Sequence, residues 1–78
     1  MKELIEQKLR PWFPDADIEI ESYYNDIGHL HFQLTVTSAR LNNLSLLDQH
    51  RLVYEALGDL LKQNKIHALK LKTIPKNT

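Results

Sequence analysis

"HLHFQLTVTSARLNNLSLLDQHRLVYEAL", residues 29–57, carries two periodicities joined by a turn. From His29 to Thr37, apolar Leu30, Phe32, Leu34 and Val36 alternate with His29, His31, Gln33, Thr35 and Thr37, which is a strand with one buried face. From Leu46 the apolar residues recur at helical spacing, so the spacing predicts a helix to about Gln63. Between them, "SARLNN" is a connector in which Asn42 and Asn43 suit turn positions, left-handed ones included. Ser45 and Asp48 have capping-box spacing: the hydroxyl accepts an early backbone N–H, and the carboxylate is favoured by the helix dipole.

Working outward, "DIEIES" alternates Ile18 and Ile20 against Asp17, Glu19 and Glu21. It predicts a first strand that pairs through a turn over "YNDIG" with the strand above, as an antiparallel hairpin. Upstream, Leu4, Ile5, Leu9, Trp12 and Phe13 predict a helix from Lys2 to about Phe13, with Pro11 kinking it or ending it early. Downstream, Asn64 suits a left-handed C-cap and Ile66 to Thr73 a last strand. A strand, a long helix and a strand in succession favour a parallel crossover. The expected fold is α+β, a two-layer α-β-β-α-β domain with a three-stranded mixed sheet, in one domain over residues 1–78.

Composition narrows the function. There is no cysteine, so no disulfide framework, and no apolar run of the roughly 20 residues that crosses a membrane. The charged N-terminus "MKELIEQKLR" lacks the apolar stretch of a signal peptide, and a cytoplasmic location is expected. In 78 residues the core is small, and a partner, or a second copy in a homodimer, would add to it. Net charge is zero with histidine neutral, which argues against a strongly basic nucleic-acid binder, yet the charges are segregated. Asp15, Asp17, Glu19, Glu21 and Asp26 form an acidic stretch, and Lys62, Lys65, Lys70, Lys72 and Lys76 a basic C-terminal edge. Such segregation means either two solvated faces or a basic edge that attracts an acidic partner or phosphate.

With two glycines, the chain has no phosphate-binding glycine loop and no GxxG loop, and neither a nucleophile elbow nor HExxH occurs. Histidines are then the candidates for chemistry. With Leu47 at 0° and about 100° per residue, Val53, Tyr54, Leu57, Leu60 and Leu61 span about 220° to 340°, which puts His50 mid-stripe as a packed histidine. Arg51 reaches the edge of that stripe, where it pairs with Glu55 or faces a ligand. His31 lies on the open phase of its strand, His29 at its turn end, and His67 shares the phase of Leu69 and Leu71.

The segments "HF" at His31-Phe32, Ser38, "HRLVY" at His50 to Tyr54 with Leu57, and "IHAL" at Ile66 to Leu69 resemble the BolA family, as does "KLRPWFPDADIEIES" upstream. The match spans nearly the whole chain, with two departures: Leu41-Asn42-Asn43 replaces the family's F-x-G, and Gln49 replaces a common arginine. Asn43 tolerates the positive φ that glycine usually supplies, whereas Gln49 removes a positive charge from the helix. The resemblance implies a fold similar to class II KH with a short helical turn in the connector, and no catalysis. It also implies partnership with a monothiol glutaredoxin in iron homeostasis or cluster trafficking, through a shared two-iron two-sulfur cluster whose other ligands come from glutaredoxin and glutathione.

By the same resemblance His67 is the expected metal ligand, with His29 as the second and His31 in reserve. Lys65, Lys70 and Lys72 are the expected partner-binding residues. Neutral imidazoles in place of thiolates raise a cluster's potential, and each must shed its proton, near an ordinary pKa of about 6.5, to bind iron. The second activity the resemblance implies is DNA-binding regulation under stress, with phosphate contacts by Arg51, Lys70 and Lys72.

Overall fold

The computed structural model describes residues 2–28, 30–62 and 69–76. Its order is α1 (Lys2–Leu9), β1 (Asp17–Tyr24), β2 (Leu30–Ser38), a single 3-10 turn (Ala39–Leu41), α2 (Leu46–Lys62) and β3 (Leu69–Pro75). The three strands form one mixed sheet in the order β1-β2-β3, with β1 antiparallel to β2 and β3 parallel to it. This is the expected α+β architecture. Among the described residues no helix is long and apolar enough to cross a membrane.

α1 stops at Leu9 because Pro11 has no N–H to continue it, and the chain turns with Trp12 and Phe13 N–H groups both donating to the Leu9 carbonyl. Phe13 still reaches the core. β1 runs two residues beyond the expected Ser22, since Tyr23 and Tyr24 pair with His31 and Leu30. β3 ends at Pro75 rather than Thr73, held in register by Thr37 and Ser38 of β2. The expected start of that strand, Ile66 to Ala68, and the C-cap Asn64 lie outside the described residues.

Alternation in β2 puts Phe32, Leu34 and Val36 under the helices. They pack there with Ile5, Leu9 and Phe13 from α1 and its turn, and with Val53, Ala56, Leu57 and Leu60 of α2. Leu69 and Leu71 join this core from β3, as their phase predicts. The connector is stitched at Asp15. Its Oδ1 accepts from Ser38 Oγ (2.8 Å) and its Oδ2 from the Ala39 N–H (2.9 Å), while Ser38 Oγ accepts from the Arg40 N–H. Those donors, the Ala39 N–H first and the Ser38 hydroxyl next, hold the Asp15 carboxyl below its ordinary range. Asn43 adopts φ 65°, the left-handed conformation expected of it, and the Asp48 N–H donates to Ser45 Oγ at the helix start.

Two sequence readings of α2 change. The buried stripe is Gln49, Val53, Ala56, Leu57 and Leu60, so His50 lies at its margin, half-buried and edge-on to the Tyr54 ring (centroids 6.4 Å, 89°). Gln49 is the polar member of the buried set. Its Oε1 accepts from Thr73 Oγ1 at 2.7 Å and its Nε2 donates to the Leu44 carbonyl at 3.0 Å, tying the start of α2 to β3. The residue that reads as a charge lost from a helix surface is an internal tie.

Candidate functional site

With both helices on one side, no described residue packs on the other face of the sheet, and the chain offers two surfaces where chemistry-bearing residues gather. The first is an end of the sheet. β2 begins at Leu30 and β3 at Leu69, and Phe32 stands beside Leu69 in the parallel register, so these two starts lie at the same end as the β1–β2 turn. His29 precedes Leu30 in the chain and His67 precedes Leu69 by two residues. His29, Lys65 and His67 themselves lie outside the described residues.

Three exposed apolar residues stand at this end, with Asn25, exposed Asp26 and Gly28 in the turn between them. Tyr24 is 72% exposed, Ile27 74% and Leu30 37%, the last on the helix-facing phase of β2. The sequence reading missed this patch: "YNDIG" reads as a polar turn, and Leu30 reads as core. The one signal available was an isoleucine and two tyrosines clustered where turn residues suffice. Tyr24 and Leu30 are paired across the hairpin and Ile27 lies in the turn that joins them, and exposed apolar side chains gathered at a rim suit a contact surface.

His31 faces away from the helices, as its phase predicts, and is held. Its ring stacks on Tyr23 across the hairpin (centroids 5.3 Å, 21°), and its Nε2 lies 2.9 Å from Asn25 Nδ2. Because Asn25 Oδ1 accepts from the Ile27 N–H, the amide nitrogen is the group facing the ring, and Nε2 is the acceptor. As a metal ligand through Nε2, His31 would have to surrender that bond.

The second surface is the open face, where Lys70 and Lys72 of β3 lie across Gln33 and Thr35 of β2 from Glu21 and Glu19 of β1. Arg51 belongs to the other layer, on α2, and is exposed. The structure therefore brings Lys70 and Lys72 together and leaves Arg51 on the helical side. The anticipated Arg51–Glu55 pair does not form: among the described residues the ion pairs are Lys8–Asp59 (3.6 Å) and Arg10–Glu6 (3.0 Å).

As to a metal, the chain has no cysteine, and among the described residues no group of three or more His, Cys, Asp or Glu side chains is placed to hold an ion.

The sequence matches the family model described as BolA-like protein over residues 6–77. The chain belongs to the BolA-like family. Among relatives of this BolA-like chain, an uncharacterized protein of Rickettsia prowazekii is 38% identical over 72 residues, covering 92% of this chain and 90% of that one. The DNA-binding transcriptional regulator BolA of Escherichia coli is 33% identical over 78 residues, covering 94% and 73%. A crystal structure of a Bol-like protein from Babesia bovis superposes with a TM-score of 0.80 at 25% identity, over 97% of this chain and 85% of that one.

Proposed function

We propose that this BolA-like chain is the partner of a monothiol glutaredoxin and co-ligates a shared two-iron two-sulfur cluster, in iron homeostasis or cluster trafficking, with His67 as its ligand and His29 as the second. The observation that carries this reading is the end of the sheet. The strands that these two histidines precede start side by side in adjacent positions, and an exposed Tyr24, Ile27 and Leu30 rim lies at that end for a protein to cover. The lack of cysteine supports it as well, because a chain with only imidazoles to offer depends on another molecule for thiolates. Lys65, Lys70 and Lys72, on and before β3, would complement an acidic partner surface beside that rim.

In this role the chain's residues have separable tasks. His67 and His29 bind iron only as neutral imidazoles, so the complex holds at neutral pH and loosens on acidification. Two imidazoles carry less negative charge than the thiolates they replace, which raises the cluster's potential. Leu69 and Leu71, packed on the core just after His67, give that segment a fixed base.

The test is reconstitution of the protein with a monothiol glutaredoxin, iron, sulfide and glutathione, followed by visible absorption and native mass. Wild type should give a one-to-one complex. His67→Ala should lose its distinctive spectrum, His29→Ala should alter it, and Ile27→Glu should weaken the complex about tenfold or more by burying a charge in the contact. An unchanged hetero-complex spectrum for His67→Ala overturns the ligand assignment.

A DNA-binding regulator is the second reading, favoured by the similarity to the Escherichia coli DNA-binding transcriptional regulator BolA. Against it stand zero net charge, Glu19 and Glu21 on the same face as Lys70 and Lys72, and Arg51 on the other layer. Duplex binding that fades steeply with added salt would support this reading, and absence of binding at low salt would remove it.

A further inference from the structure

The open face of the sheet is charged in an ordered way. Across the strands, Glu21, Gln33 and Lys70 form one row, and Glu19, Thr35 and Lys72 the next. Acids hold one edge, lysines the other, and the neutral middle strand separates them by two strand spacings, about 10 Å. None of these four charges takes part in an ion pair among the described residues. Between them lies a shallow depression of about 260 Å³ lined by Glu19, Glu21, Gln33, Thr35, Lys72 and Ile74.

We propose that this face binds a second copy of the chain about a two-fold axis that runs along β2, midway between two facing sheets. Rotation about an axis parallel to the strands exchanges the two edges but keeps each residue's level along the strand. The partner's β1 then lies over β3 and the partner's β3 over β1. Glu21 of each copy faces Lys70 of the other, and Glu19 faces Lys72, so four opposite-charge pairs form from two rows. Sheets stack at about 10 Å, a gap that opposed Glu and Lys side chains span together. Gln33 and Thr35, on the axis, bring amide and hydroxyl groups for hydrogen bonds to their own copies. An isologous contact of this kind closes on itself at two copies and does not propagate into a filament.

The surface is one three-stranded face, so the buried area falls at the small end, below roughly 1,200 Å², and the dimer is weak and salt-sensitive. It involves neither the helical layer nor the Tyr24–Leu30 rim, and it shares Lys70 and Lys72 with the glutaredoxin contact proposed above but none of the candidate ligands, so His67→Ala should leave the dimer unchanged while it removes the hetero-complex spectrum.

Sedimentation analysis at about 50 mM and about 500 mM salt tests it, with dimer expected at the lower salt and roughly tenfold weaker association at the higher. The geometry is tested by charge exchange. Glu19→Lys/Glu21→Lys and Lys70→Glu/Lys72→Glu should each be monomeric. The quadruple exchange carrying all four changes keeps zero net charge and should dimerise with itself, yet not with wild type, because in a mixed pair like charges would face each other. Circular dichroism confirms that each variant is folded; the four positions are exposed, and their exchange leaves the core intact. A wild type that is monomeric at low salt up to about 1 mM protein overturns the proposal and leaves the face to another partner. Free mixing of the quadruple variant with wild type overturns the axis and the charge register with it.

Discussion

Gln49 and Thr73 share a buried hydrogen bond of 2.7 Å between the start of α2 and the last strand. Removing one partner strands the other's polar atom away from water, so Thr73→Val should cost about 1–3 kcal/mol, read as a lower urea midpoint. Gln49→Leu should cost at least as much, since its bond to the Leu44 carbonyl also goes. The double variant should lose less than the sum, which a double-mutant cycle reports as coupling. Asp15 acts through charge. Its carboxyl is held below the ordinary range by the Ala39 N–H and the Ser38 hydroxyl, so the folded state binds fewer protons here than the unfolded chain does. This contribution is complete above the ordinary carboxylate range and disappears as pH falls through the lowered folded value. Urea midpoints measured from pH 7 to pH 3 should therefore drop less steeply for Asp15→Asn than for wild type, the variant being less stable at neutral pH.

At the scale of elements, what could be read from the sequence was what the chain decides locally. The alternation of β2, the Ser45 cap with α2 starting at Leu46, and the left-handed Asn43 each depend on a few adjacent residues. Asn43 offers a direct check: Asn43→Gly should keep or raise the melting temperature, whereas Asn43→Val, forced to φ 65°, should cost about 1–2 kcal/mol in thermal unfolding. What the sequence did not reveal depends on partners distant in the chain. The extra length of β1 and β3 exists because β2 is there to pair with. The true stripe of α2 is set by where α1 and β3 lie, which moves Gln49 inside and His50 to the margin. The candidate ligands His29 and His67 were reached through the family resemblance, and no periodicity separates them from ordinary histidines. The exposed rim of Tyr24, Ile27 and Leu30 becomes visible only in the folded chain, because exposure at that end depends on residues distant in sequence.

The whole molecule is a single sheet with one covered face, and its functions divide along that asymmetry. The helical layer and its core supply stability, with the Lys8–Asp59 pair bridging α1 and α2. One end of the sheet, where β2 and β3 start beside the apolar rim, is the proposed seat of the shared cluster. Its open face, acidic on β1 and basic on β3, is the proposed contact with a second copy. The central claim is that this chain enters a glutaredoxin-held cluster as a ligand donor. It is tested most directly by titrating the protein into cluster-loaded monothiol glutaredoxin while recording visible circular dichroism. A new spectrum is expected that saturates at one chain per cluster and is not produced by His67→Ala. A glutaredoxin spectrum unchanged by excess wild-type protein would contradict it.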